Sequence, residues 1–351
     1  MTTAEADSET ALKKPVWVRS RFGCVMITVI LILLLLLLAL VIYFTSRNFR
    51  VQIDVGCGPE RKVEGLVEDD GYVFRGLRYA KPPVGNLRWK PSVQTTVTDC
   101  MNGTYFAHEF KSECAQKDLN TGQISGSEDC LFINVWTPTT DKNANLPVMV
   151  FIHGGYLLVL SGNTPGYSPT IKMAVDANIV HVSFNYRLNA FGFMALESLS
   201  KQDFGFSGNY GLHDQIVALQ WIQDNIHHFG GNPGHVTIYG HSSGATSVFA
   251  LLSTKRSEGL FHRAIMIGGS SVYDKSLEDA SEDNLKFVEN AGCQGKANLD
   301  EEYECLMELT VEEILNAVTY HEYPSWLGDG SAFDLPTKGI LWAPFPSSMG
   351  H

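Results

Sequence analysis

The 351-residue sequence has no Cys-x-x-Cys pair and no His/Cys group at zinc-ligand spacing, which excludes the common structural zinc modules. It also has no cluster of basic residues. Lys and Arg number 26 against 38 Asp and Glu, a formal net charge of −12. That balance argues against a nucleic-acid surface and favours neutral or cationic ligands over anions. There is no internal repeat, which excludes solenoids and propellers. Low complexity is confined to one leucine-rich run near the N-terminus. Charged residues are few, at 18 %, and apolar ones reach 44 %, enough for a packed core in one large domain or two small ones. Nothing in the sequence calls for a metal or another cofactor.

The leucine-rich run covers residues 24–44, with Thr28 the main polar interruption. A helix of that length spans a hydrocarbon layer of about 30 Å at about 1.5 Å per residue. The alternative is a cleaved signal peptide, but signal cores are shorter, about 7–15 residues, and end at a small-x-small site. Here the run ends in Val41-Ile42-Tyr43-Phe44, so a retained single-pass anchor is the expectation. Lys13, Lys14, Arg19 and Arg21 precede it, while Arg47 and Arg50 follow. The positive-inside rule leans towards a cytoplasmic tail over 1–23, the anchor over 24–44, and a folded domain over 45–351 in the lumen or outside the cell.

Six cysteines outside the run point to the same side, because three bridges among Cys57, Cys100, Cys114, Cys130, Cys293 and Cys305 need an oxidising compartment. Cys293 and Cys305 would close a short loop. Asn102-Gly103-Thr104 is a glycosylation sequon and agrees with an external domain. Cys24 reads as an inert membrane-facing thiol.

Within the domain, residues 63–73 with Gly65 and Gly71 predict a hairpin. Residues 146–152, Leu-Pro-Val-Met-Val-Phe-Ile, predict a central strand buried on both faces, and residues 178–186 a second. Apolar residues at 216, 219, 222 and 226 predict an amphipathic helix over 214–229, ended by Gly230. Its adjacent His227 and His228 diverge and read as solvated residues, not metal ligands. A further strand is expected over 262–269 and a helix over 306–320. Strand and helix alternate through 146–269, which predicts an α/β fold with a largely parallel sheet covered by helices on both faces.

Gly240-His241-Ser242-Ser243-Gly244 is a G-x-S-x-G pentapeptide. A short β-branched run, 236–239, precedes it and a small apolar stretch, 245–252, follows. A serine on a tight strand-to-helix turn is pushed out above the sheet edge, and the two glycines remove the Cβ atoms that would clash there. Its hydroxyl then lies near the positive end of a helix, where developing negative charge is favoured. Ser242 is the candidate nucleophile.

The longer run 229–245, Phe-Gly-Gly-Asn-Pro-Gly-His-Val-Thr-Ile-Tyr-Gly-His-Ser-Ser-Gly-Ala, resembles the active-serine signature of the type B carboxylesterase and cholinesterase family. Residues 127–136, Ser-Glu-Asp-Cys-Leu-Phe-Ile-Asn-Val-Trp, resemble the family's second signature, and 74–83 its early proline-rich block, with Arg78 where proline is usual. The resemblance covers about 51–350. It implies an α/β-hydrolase-like fold and acyl transfer to small-molecule esters. It also implies a bridge between Cys114 and Cys130, and structural pairs Arg88–Glu128 and Arg187–Asp214. The oxyanion hole would use backbone N–H groups of Ser243 and of the glycine loop, Gly154 and Gly155, but Tyr156 stands where the family has a third glycine or one glycine is deleted. Cys57 and Cys100 are left as an extra pair.

Two triad members are not in sight. The family order is Ser, acid, His, with both partners further downstream than the 109 residues after Ser242. Asp329, Asp334 and His321 sit in no matching motif. His153 precedes the glycine loop, where the family often has His, and the resemblance implies a structural role; His241 neighbours Ser242 on a sharp turn where adjacent side chains diverge, so it is a poor general base. The chain therefore resembles the N-terminal portion of such a domain. Residues 115–127 hold no Trp, which argues against a quaternary-ammonium substrate. Two functions stay open: a membrane-anchored carboxylic-ester hydrolase, and a catalytically impaired cholinesterase-like adhesion or receptor protein of the neuroligin and neurotactin type, with a protein partner. Tyr156 and the anchor favour the second; Ser242 favours the first. A truncated product that never folds stably is the third possibility.

Overall fold

The computed structural model describes residues 16–47, 49–55, 62–95, 103–202, 207–269 and 276–318. The chain divides into two compact units, residues 1–50 and 51–351. The first contains α1 (Val16–Arg47), whose described side chains, residues 25–41, are all exposed. Among the described residues no helix is long and apolar enough to cross a membrane, so the anchor expected over 24–44 rests on the sequence.

The second unit is built on strands β1 (Arg50–Asp54), β2 (Lys62–Glu68), β3 (Gly71–Arg78), β4 (Thr104–Phe106), β5 (Gln116–Lys117), β6 (Ile124–Ser125), β7 (Phe132–Thr137) and β8 (Leu146–Ile152). Helix α2 (Ile171–Ala177), strand β9 (Val180–Phe184), and helices α3 (Asn189–Phe193), α4 (Glu197–Gln202) and α5 (Tyr210–Asn225) follow. Then come β10 (Gly231–His241), α6 (Ser243–Ser253), β11 (Arg263–Ile267), α7 (Leu277–Asp283), α8 (Leu285–Asn290), α9 (Leu299–Glu308) and α10 (Val311–Ala317).

The main sheet runs β1-β2-β3-β7-β9-β8-β10-β11, with β4 added beside β2. It is mixed, which corrects the expectation of a largely parallel sheet. β2/β3, β3/β7 and β7/β9 are antiparallel, whereas β9/β8, β8/β10 and β10/β11 are parallel. The alternation that predicted parallel strands starts at residue 146 and holds from there. Upstream, a two-residue hairpin joins β2 to β3, too short for the crossover that a parallel pair requires. Asp69 and Asp70 form that turn with φ of 42° and 63°, the left-handed pair that matches a twisted hairpin.

Register explains how the helices cover the sheet. Paired residues share a face. Phe74, Val135, Val182, Val150 and Ile238 line up across five strands and pack in one cluster with Leu212, Ile216 and Leu219 of α5 and Val248 of α6. On the opposite face Val73 and Trp136 pack with Ile171 and Ala174 of α2. Residues 216, 219, 222 and 226, the predicted apolar stripe, are all buried. The predicted helix over 214–229 appears as α5 and a 3₁₀ turn, Ile226–Phe229, stopped by Gly230 at φ 80°. The helix expected over 306–320 is broken at Leu309. Thr310 starts α10 there with a capping box to Glu313, so the local cap overrides a continuous helix.

Candidate active site

β10 ends at His241 and α6 begins at Ser243, so Ser242 alone makes the turn. Its backbone sits at φ 57° and ψ −129°, a conformation that L-residues rarely adopt and that stores strain. The surroundings hold it there. Ser242 N–H donates to Ile267 O of β11 at 2.9 Å, and Ser242 O accepts from Ala245 and Thr246 N–H at 2.9 and 3.1 Å. Both glycines of the pentapeptide are sterically required. A Cβ on Gly240 would collide with the Gly244 carbonyl group and lie 2.8 Å from Ala245 N, and a Cβ on Gly244 would collide with Ile152 O. The close packing of β10, β8 and α6 therefore depends on those two missing side chains. Ser242 is half-buried.

The glycine loop leaves β8 beside this elbow. His153 is fully buried under it. Its Nδ1 lies 2.9 Å from Gly154 O, its ring stacks on Tyr186 at 4.3 Å, and Tyr186 donates to His153 O at 2.7 Å. Burial pushes the imidazole down to about 4, so it stays neutral at physiological pH. That fits the structural role expected for it. Gly155, Tyr156 and Leu157 all have positive φ, 98°, 62° and 61°. Tyr156 thus adopts a left-handed conformation that a third glycine would take more easily. Leu158 and Val159 N–H close the turn on Gly155 O at 2.9 and 3.0 Å.

The structure brings Gly154, Ser242 and Ser243 together. A Cβ built on Gly154 would stand 3.2 Å from Ser242 Cβ, and Leu157 N–H donates to Ser243 Oγ at 3.2 Å. Ser243 opens α6, where the first N–H groups of a helix have no partner within it. Gly154 N–H, by contrast, is committed: it donates to Tyr167 Oη at 3.2 Å. Tyr167 also lies 3.0 Å from Nδ1 of the exposed His241. Tyr167 escaped the sequence reading because it sits in no motif and stands 13 residues beyond Gly154.

Several supporting groups fall where they were expected. Cys114–Cys130 and Cys293–Cys305 are disulfide-bonded, with Cα atoms 4.8 and 5.8 Å apart. Arg88 grips Glu128 with two bonds of 2.7 Å and also donates to Met307 O and Leu309 O at 3.2 and 2.7 Å. Arg187 meets Asp214 at 2.8 and 2.7 Å, and both side chains are almost wholly buried. Arg78, the departure from proline, finds its own use. It pairs with Asp129 at 2.7 and 3.0 Å and lies over the Phe132 ring at 4.6 Å. His227 is exposed but His228 is half-buried, and burial lowers it to about 4, which corrects the expectation that both are solvated. Among the described residues no group of His, Cys, Asp and Glu could hold a metal. Asn102, Cys57, Cys100, His321, Asp329 and Asp334 lie outside the described residues.

The carboxylesterase family model matches residues 52–337. Drosophila melanogaster neurotactin is 38 % identical over 77 % of this chain and 31 % of its own length. Bacillus subtilis para-nitrobenzyl esterase is 36 % identical over 73 % of the chain and 50 % of its own. The crystal structure of the Geobacillus stearothermophilus carboxylesterase at pH 6.8 aligns with a TM-score of 0.67 at 34 % identity, covering 80 % of this chain and 55 % of that one. The chain spans half or less of the length of these two curated relatives.

Proposed function

The chain belongs to the carboxylesterase family, and on that premise we propose that it carries the nucleophile of a carboxylic-ester hydrolase. Ser242 Oγ attacks the ester carbonyl, its proton passes to a base, and the alcohol leaves with a proton. Water then releases the acyl group from Ser242 as a carboxylic acid. Ser243 and Gly155 N–H are the proposed oxyanion donors. Gly154 N–H is bonded to Tyr167 Oη and holds the loop that presents them. The single observation that carries this reading is the strained backbone of Ser242, held between two glycines whose every added atom would collide. A neutral small-molecule ester suits the net negative charge.

The proposal extends to placement. Residues 24–44 anchor the chain, residues 1–23 face the cytoplasm, and the domain lies in the lumen or outside the cell, with Asn102 as a glycosylation site. The two disulfides support an oxidising compartment. A second reading, adhesion through a protein partner, is favoured by Tyr156 in the glycine loop and by the likeness to neurotactin.

A fluorophosphonate probe separates the two. Labelling of the intact protein at Ser242, lost in Ser242→Ala, is the expected result. A correctly folded protein that the probe leaves untouched would overturn the hydrolase reading and leave the adhesive one.

A further inference from the structure

The glycine loop and the elbow come from different strands, β8 and β10. An oxyanion hole assembled from both works only if their separation is fixed, since an error of about 1 Å costs on the order of 10²-fold in rate. Two side chains bridge the gap, one on each side of Ser242. Ser243 Oγ accepts from Leu157 N–H at 3.2 Å. Tyr167 Oη reaches Gly154 N–H at 3.2 Å and His241 Nδ1 at 3.0 Å.

A backbone N–H can only donate, so the phenol oxygen accepts from Gly154. The same oxygen meets His241 Nδ1 as donor or acceptor according to which ring nitrogen carries the imidazole proton. Burial raises the phenol above its ordinary value, so the hydrogen is kept at neutral pH. The ring is held edge-on against Phe151 at 5.4 Å and His241 at 5.9 Å. A Cβ on Gly154 would lie 2.8 Å from Tyr167 Oη and 3.2 Å from Ser242 Cβ, so the phenol oxygen is at most about 6 Å from the nucleophile's Cβ, the sum of the two.

We propose that Tyr167 is a positioning residue for acyl transfer: its hydroxyl ties the glycine loop to the Ser242 elbow through His241. The proposal rests on Ser242 being the nucleophile, and its test is chosen to tell the two apart. Tyr167→Phe keeps the ring and removes the bridge. It should slow fluorophosphonate labelling of Ser242 by about tenfold or more, with the probe's reversible affinity changed by less than about twofold. His241→Asn keeps a hydrogen-bonding group near the Nδ1 position and should retain the rate; His241→Leu should behave like Tyr167→Phe. Hydrogen exchange at the Gly154 amide gives a readout that needs no nucleophile. It should be slow in the native protein and in His241→Asn, and fast in Tyr167→Phe and His241→Leu. Unchanged exchange, or equal labelling in all four proteins, overturns the proposal. If the native protein is never labelled, the hydrolase reading fails and the exchange pattern alone decides the bridge.

Discussion

The two halves of the sheet are held by different means. The half containing β2, β3 and β7 is cross-braced by charge and covalent links. Arg75 pairs with Glu68, Arg78 with Asp129 and Arg88 with Glu128, and Cys114–Cys130 closes the segment before β7. The half containing β8, β10 and β11 relies on apolar burial. Val148, Val150, Ile152, Val236 and Ile238 are fully buried, yet one strand further out Ile265, Met266 and Ile267 of β11 are about half exposed. Ser242 lies at that transition, with its N–H bonded to the outer strand. Among the described residues, Ser242 therefore lies between the close-packed centre of the sheet and its more exposed outermost strand.

Substitutions can test the contrast, beginning with the joint between the halves. Asp214→Ala leaves the buried Arg187 without its partner and should cost about 3–5 kcal/mol in denaturant unfolding. A loss below about 1 kcal/mol would show that the joint is not needed. Ile152→Ala, in the centre, should cost about 2–5 kcal/mol, whereas Ile267→Ala, two strands away, should cost less than about 1 kcal/mol. Equal costs would erase the distinction between core and edge.

Removing Cys114–Cys130 by paired alanine substitution should lower stability by about 3 kcal/mol, the value for a loop of this length. The pH dependence should come from histidines shielded from water. His153, His181, His213 and His228 are all lowered to about 4 by burial. The unfolded chain therefore binds protons that the folded one refuses. Stability is complete above the unfolded value of 6.5 and falls as pH drops towards 4, by at most about 1.4 kcal/mol per pH unit for each histidine and by less for the half-buried His228. His181→Phe should make that decline shallower; an unchanged slope would refute the assignment. The smallest effect is expected for Ile265→Lys on the edge strand, within about 0.5 kcal/mol, with reduced concentration-dependent association as its visible consequence.

Much of this was legible in the sequence. The apolar run 146–152, the stripe at 216, 219, 222 and 226, and the strand–Ser242–helix turn each carry their structure in local pattern. The pairs Arg88–Glu128, Arg187–Asp214 and Cys114–Cys130 were implied by resemblance, and they stand where it put them. What escaped was non-local. Antiparallel pairing of β7 with β9 depends on where two separated strands meet, which alternation over one segment does not encode. Tyr167 reaches the site by a fold of the loop, and Arg78 acquires Asp129 across 51 residues. His228 looks solvated by its position at a helix end, but its burial is set by neighbours distant in the chain.

The grip of Arg88 on the carbonyls of Met307 and Leu309 has a consequence for synthesis on the ribosome. Leu309 is made 221 residues after Arg88. At about 5–20 residues per second the arginine waits roughly 10–45 seconds for those acceptors. Glu128 arrives after only 40 residues, so the first partner can neutralise the guanidinium long before the last clasp closes. Translation order alone would then make the α9–α10 segment a late addition to an already charge-matched body.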